Sequence, residues 1–325
     1  MTWQPTLTWQ EAQKRATILQ QIRQFFADRN VVEVETPALS QGTVTDVYLD
    51  ALSCKYDFLA DSPADHSTEL FLQTSPEFHM KRLLASGYGC IYQIAKAFRH
   101  EESGNHHNPE FTMLEWYRIG FNQFELMSEV AELLQVVIGG DKALLTSYQD
   151  TFIEIISVDP LVATFDELVE VLNKYNKAAD WLIKMNDADL LLQFIFTEII
   201  EPTIGVNEPQ FIYDFPIAQA SLAKRSTDDP RVAQRFECYY RGIELVNGFN
   251  ELTDANEQLI RFEQDNAKRE DQGLPVKPID ANFIAALNHG LPQCSGVALG
   301  IDRLVMLALG CKHINETISF TIDNA

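Results

Sequence analysis

Two segments, Phe98-Arg99-His100-Glu101 and Asn108-Pro109-Glu110-Phe111-Thr112-Met113-Leu114-Glu115-Trp116-Tyr117, enclose a polar turn from Glu102 to His107. Apolar and aromatic residues on either side of such a turn predict strand, loop, strand. One arginine and three glutamates (Glu101, Glu110, Glu115) sit in those flanks, at positions that a sheet partly buries. A lone buried charge costs several kcal/mol or more, so these groups are expected to be paired or to face a charged ligand. A hairpin with a structural ion pair is the plainer reading of the same residues.

Composition narrows the setting. At 325 residues with 46% hydrophobic content the chain can bury a large core in one large domain or two ordinary ones. The five cysteines (Cys54, Cys90, Cys238, Cys294, Cys311) are odd in number, widely spaced and form no C-x-x-C pair. A disulfide framework or zinc ribbon is therefore not expected, and a reducing cytoplasm is. No secretory signal and no apolar run long enough for a membrane helix is legible. The net charge of −22 opposes a large nucleic acid as main partner, because phosphate recognition needs a basic surface. From Asp150 to Glu208 twelve acids face only Lys174, Lys177 and Lys184, which reads as a solvated acidic face.

Along the chain, Thr8 to Asn30 predicts an amphipathic helix. Thr8 and Glu11 form a capping box, and Ala12, Ala16, Leu19, Ile22 and Phe26 recur at helical spacing. Val31 to Thr36 alternates like a strand and stops at Pro37. Pro76 opens a helix through Leu84. Further helices are expected at Gln123–Ile138, at Phe165–Tyr175 with Thr164 and Glu167 as a capping box, at Asp187–Ile200 ending before Pro202, and at Asp254–Gln272 ending at Gly273. Phe236 to Glu251 is apolar with embedded glutamates. Gly296-Val297-Ala298-Leu299-Gly300-Ile301-Asp302-Arg303-Leu304 runs from a small-residue strand into an apolar helix. No repeat or Gly/Ser linker appears. The expectation is one domain over residues 1–325 with a helical insertion around 150–205.

The hairpin resembles motif 2 of class II aminoacyl-tRNA synthetases, and its ending N-P-E-F-T-M-L-E-W-Y is most similar to the lysyl branch. The Thr8–Pro37 segment resembles motif 1, which builds the dimer interface of that family, and the Gly296–Leu304 run resembles motif 3. The resemblance covers residues 9 to about 310. It implies an α+β fold, an antiparallel β-sheet flanked by helices, that uses ATP and Mg²⁺ and forms a homodimer. By the same resemblance Arg99 and Arg303 are the catalytic candidates: Arg99 contacts the α-phosphate and the substrate carboxylate, and Arg303 holds the γ-phosphate and stacks on adenine. Two guanidiniums suit this chemistry, since joining a carboxylate to a phosphate needs fixed, bidentate positive charge more than covalent help. The implied ATP site also takes His100, Glu101, His107, Asn108, Phe111, Glu244, Leu245 and Gly300. Read by themselves, His79, His100, His289 and His313 are structural or solvated.

Glu237 and Glu244 match glutamates that hold Mg²⁺ in the family; without the resemblance they read as sheet-edge carboxylates. Ser75, Pro76, Glu77, Glu115, Tyr117, Asn247, Glu251 and Ala298 match substrate-binding positions. So many carboxylates beside one substrate imply extra ammonium charge, a diamine acid of lysine type.

Two departures matter. The motif 1 helix begins near residue 9, which leaves no room for the β-barrel that reads the anticodon in lysyl-tRNA synthetases. Ala298 stands where that branch typically has glycine, and one methyl in a close-packed pocket shifts a substrate toward a backbone-displaced form such as a β-amino acid. This combination resembles the stand-alone lysyl-synthetase paralogues that modify translation elongation factor P. It implies activation of (R)-β-lysine as an adenylate and transfer to a lysine ε-amine of that factor, with tRNA not the acceptor and no membrane involved. A truncated lysyl-tRNA synthetase and a non-catalytic regulatory paralogue are the alternatives.

Overall fold

The computed structural model describes residues 3–57, 68–100, 103–140 and 142–325. Two compact units make up the chain: Met1–Phe121 with Val136–Ile138 and Thr253–Ala325, and Asn122–Gln135 with Gly139–Leu252.

In the first unit, the hairpin strands Ile91–Phe98 and Glu110–Ile119 pair antiparallel over their full length, Phe98 opposite Glu110 and Ile91 opposite Tyr117. The strand Cys294–Gly300 lies antiparallel on the other side of Glu110–Ile119. Val32–Glu33 adds a short parallel edge against Ile91 and Tyr92. The strand expected over Val31–Thr36 thus shrinks to two paired residues, because it has a partner on one side only and Val32 is exposed. The helix Trp9–Ala27 starts with the expected Thr8–Glu11 capping box. Its buried stripe is Ile18, Ile22, Phe25 and Phe26, with Ala16 exposed. Phe26 stacks on Tyr92 at 4.3 Å and meets Trp116 edge-on, so aromatic area seats this helix on the sheet. The helices Glu77–Ala85 and Ala281–Gly290 pack through Phe78 on Phe283, 4.4 Å between ring centres, with Phe262 of the helix Ala255–Asp271 alongside.

In the second unit, Ile243–Asn250, Val232–Tyr240 and Gln210–Pro216 form antiparallel neighbours, and Leu144–Ser147 pairs parallel to Gln210–Pro216. The helices Tyr148–Ile156, Phe165–Lys174, Asp180–Lys184 and Ala188–Ile195 enclose a core in which Tyr148, Phe152, Phe196 and Phe215 cluster. The Thr164–Glu167 capping box forms as expected. The helix expected through Ile200 changes character at Phe196: five residues wind as a π-helix and Glu201–Thr203 as a 3₁₀ turn. Pro202 has no N–H to donate and its ring crowds the carbonyl four residues back, so the regular ladder cannot continue.

Gly248 marks a point of very close strand pairing in the second unit. A Cβ there would lie 2.3 Å from Cζ of Phe236 on the neighbouring strand, and Phe236 is fully buried. Gly248→Ala is expected to cost about 1–3 kcal/mol in chemical denaturation. Unchanged stability would show that the phenyl ring has room to yield.

Candidate active site

In the first unit one face of the sheet carries several of the expected residues. Phe111, Met113, Glu115 and Tyr117 alternate along one strand and therefore share a face. The Arg99 guanidinium lies over the Phe111 ring at 5.2 Å, on that same face. Backbone pairing from Arg99 N–H to the Pro109 carbonyl, 2.9 Å, closes the hairpin at its level. Six residues of strand, about 20 Å, separate that level from Glu115.

The residues that flank this face are small. Gly296, Ala298 and Gly300 lie directly opposite Tyr117, Glu115 and Met113. On the other side Ala95 and Ala97 face Met113 and Phe111, and Gln93 faces Glu115. Directly opposed residues project side by side on one face, so the strand bearing Glu115 has small neighbours along one side and, on the other, alanines that give way to Gln93 and Ile91 beside Glu115 and Tyr117. This face therefore carries a guanidinium near one end and a buried carboxyl at the other, with mostly small residues on the two neighbouring strands. At Gly300 an added Cβ would meet only the Arg303 side chain, at 3.6 Å, so the protein's own packing does not demand glycine there.

The carboxyl end is dense with charge. Glu115 is 2% exposed and accepts a 2.7 Å hydrogen bond from the Tyr117 hydroxyl. Burial and the Glu77 carboxylate push its pKa from an ordinary 4.5 to about 8, against the Tyr117 and Ser75 hydroxyls and the Lys81 ammonium. Lys81, buried to 1%, forms a 2.6 Å ion pair with Glu77 one helical turn away. Ser75 accepts from the Glu77 N–H at 3.0 Å, just ahead of the helix start at the buried Pro76. Lys81 was not among the residues singled out from sequence, although its i, i+4 spacing from Glu77 was visible there.

The turn of the hairpin closes on itself through Gly104 and His107. Arg303, two residues into the helix Ile301–Leu309, donates from Nε to the His106 carbonyl at 3.2 Å and sits 2.8 Å by Nη2 from His107 Nε2. A guanidinium only donates, so His107 accepts at Nε2 and carries its proton on Nδ1. Burial, then the charge of Arg303 and of His313, holds His106 below the usual histidine range. Asn108 is engaged by the backbone instead: its amide donates to the Glu110 carbonyl and accepts from Ile322 N–H at 3.1 Å. His100 is exposed, with its N–H on the Asp50 carbonyl at 2.9 Å. Glu101 lies outside the described residues. Glu110 is exposed and pairs with Lys96 at 3.2 Å, a surface contact worth little. Glu115 lies five positions further on, so alternation sends the two to opposite faces, and of these two the expected burial holds for Glu115.

The second unit gathers another set. Glu237 is 6% exposed and receives Arg235, the Tyr239 hydroxyl, and Asn247 at 3.0 Å. Burial pushes its pKa up, Arg235 counters, and the nearby Glu244 carboxylate raises it further. Asn247 lies opposite Glu237 and Glu244 opposite Tyr239, with the ladder slipping between Glu244 and Val246. That bulge at Leu245 brings two residues three apart onto one face, where plain alternation would separate them. Glu251, buried to 1%, follows on the same alternation as Asn247 and bridges to Ala223. Arg235 and Tyr239 went unnoticed in the sequence, although both lie two residues from Glu237.

Among the described residues no group of three histidine, cysteine or acidic side chains could hold a metal by itself. Mg²⁺ commonly takes one or two carboxylates and completes its shell with phosphate oxygens and water. The mutual repulsion of Glu237 and Glu244 is what a divalent ion relieves, so this pair fits such an ion.

The family of class II tRNA synthetases of the D, K and N type matches residues 7–324. Curated relatives similar over the full length include the elongation factor P–(R)-β-lysine ligases of Vibrio campbellii, 54% identical over 319 residues and 98% of each chain, and Yersinia enterocolitica, 53% identical over all of this chain and 98% of the relative. That of Salmonella typhi is 53% identical with the same coverage.

Glu115 gives a pH test. The folded protein keeps a proton that the unfolded chain releases from about pH 4.5 upward, so stability is full below that pH and is lost as pH rises through about 8. Relative to Glu115→Gln, which cannot ionise, the melting temperature is expected to fall between pH 5 and 8. Parallel curves for the two proteins would rule out a buried carboxylic acid.

Proposed function

From the premise that this chain belongs to the class II tRNA synthetases of the D, K and N type, we propose that it activates (R)-β-lysine with ATP and transfers it to a lysine of translation elongation factor P. The observation that carries the reading is the buried Glu115 carboxyl beside the Glu77 carboxylate, on the same sheet face as the Arg99 guanidinium and flanked by small residues of the neighbouring strands. The guanidinium suits phosphate and carboxylate oxygens, and the carboxyl groups suit an ammonium. The acceptor rests on the name shared by relatives of matching length.

In the first step a substrate carboxylate oxygen attacks the α-phosphate, forming the acyl-adenylate and releasing pyrophosphate. Arg99 neutralises the approaching anions, and Arg303 takes the γ-phosphate, exchanging its contacts with His106 and His107 for phosphate oxygens. His107, Phe111 and Gly300 lie along the nucleotide, with Leu245 shaping the bulge that presents Glu244. Glu237 and Glu244 would hold Mg²⁺, which supplies charge neutralisation on the phosphates. Glu115 with Tyr117 and Glu77 with Ser75 take ammonium groups. In the second step the ε-amine of the acceptor lysine attacks the adenylate carbonyl; AMP leaves, an amide forms and the amine's proton goes to solvent. A homodimer and a cytoplasmic setting belong to the same proposal; among the described residues no helix is long and apolar enough to cross a membrane.

Incubating the protein with ATP, Mg²⁺ and radiolabelled (R)-β-lysine, and offering elongation factor P or bulk tRNA in parallel, tests the reading. Label on the factor is expected; charging of tRNA alone would overturn the acceptor, and no pyrophosphate exchange with either α- or β-lysine would overturn the enzyme.

Ala298 supplies a second test, since its methyl stands beside Glu115 on the same sheet face. Ala298→Gly is expected to shift the kcat/KM ratio toward α-lysine by about ten-fold, the scale of one methyl group in a fitted pocket. An unchanged ratio in pyrophosphate exchange would make the methyl incidental.

A further inference from the structure

Arg269 is fully buried on the helix Ala255–Asp271, far in sequence from every motif described above. Withdrawing a guanidinium from water costs several kcal/mol unless its donors are matched. Here they are: Nε donates to the Pro275 carbonyl at 2.8 Å, Nη1 to the Asp46 carbonyl at 2.7 Å and Nη2 to Asp50 Oδ1 at 2.8 Å. Lys277 reaches the same Asp50 oxygen at 3.1 Å. Burial works against the Asp50 charge, but Arg269 and Lys277 together hold its carboxyl below the usual range. One turn back on the helix, Asp265 accepts from the buried Thr45 hydroxyl at 2.8 Å. The loop from Thr45 to Asp50 is thus fastened to one helix at both ends.

This loop is also what receives the end of the hairpin strand. The Asp50 carbonyl accepts the His100 N–H at 2.9 Å, immediately after Arg99, while the Arg99 N–H is taken by Pro109. The backbone on either side of the Arg99 side chain is therefore held by two different partners, one within the hairpin and one outside it. The outside partner is only as fixed as the loop that carries it.

We infer that Arg269 is a positioning residue for Arg99, acting through Asp50 and the His100 N–H. A structural ion pair alone has a simpler solution, because apolar replacements of buried pairs are often neutral or stabilising. A planar fork that fixes two carbonyls and a carboxylate at once fixes the path of the loop, which an apolar side chain cannot do. The inference rests on the reading of Arg99 as the group that meets the α-phosphate.

Asp50→Ala tests it: the variant keeps the Asp50 carbonyl but removes the carboxylate from the fully buried Arg269 guanidinium, so a lower melting temperature is expected with it. Native-state hydrogen exchange, well below the melting temperature, is expected to show the His100 amide opening at least about ten-fold faster beyond any increase shared by amides elsewhere in the protein. In pyrophosphate exchange kcat is expected to fall about ten- to a hundred-fold, the scale of a misplaced catalytic group, while KM for the amino acid stays within about two-fold. Arg269→Lys, which keeps the charge and loses the fork, is expected to repeat this pattern. An unchanged His100 amide, or an unchanged kcat beside a faster amide, overturns the inference. A wild-type chain that exchanges no pyrophosphate overturns instead the functional reading on which it rests, while the amide measurement still reports whether the clamp exists.

Discussion

The carboxylate of Asp302 joins three segments that lie far apart in the chain, and the first unit's arrangement depends on it. One oxygen pairs with Arg15 on the helix Trp9–Ala27 at 2.7 Å; the other accepts the Thr112 N–H of the hairpin strand at 2.7 Å. Arg15 in turn reaches the Thr112 hydroxyl and the Thr317 carbonyl. Asp302 is 2% exposed, so these charge-assisted contacts act where water does not compete. Because Asp302 is the second residue of its helix, fixing it fixes where the next side chain, Arg303, leaves the backbone. The helix start, the hairpin and the first helix are thereby one object, and the contact of Arg303 with the hairpin turn follows from it.

A comparable economy governs the second unit. A single extra residue at Leu245 changes which side chains share a face, and so puts Glu244 and Asn247 beside Glu237. Arg235, Tyr239 and Asn247 then satisfy the Glu237 carboxylate without removing its repulsion from Glu244. Gly248 permits this close strand pairing because Phe236 fills the space where its side chain would be. Sheet register and carboxylate chemistry are the same fact seen at two scales.

Much of this was legible from residue patterns. The capping boxes at Thr8–Glu11 and Thr164–Glu167 need only four consecutive residues, and both form. Alternation along the hairpin strand already put Glu115 and Tyr117 together. It also separated Glu110 from Glu115, a consequence that the expectation of three half-buried glutamates missed. Asn108 could not be read: its partner Ile322 is more than two hundred residues away. Nor could the edge strand Leu144–Ser147, whose only ladder is with a segment some sixty residues later.

Local order, helix termini, strand alternation and the identity of the charged groups were determined by the sequence, because each depends on neighbours within one or two turns of chain. The motif residues likewise carry the family, and with it the α+β class. Tertiary structure alone decided which charges meet. The height of the Glu115 pKa comes from burial and from Glu77 on another element, the fit of Glu237 beside Glu244 from a bulge, and the path of the Thr45–Asp50 loop from a buried Arg269. Electrostatic energies in a folded protein are set by distance and by the exclusion of water, and neither quantity exists until the chain has closed on itself.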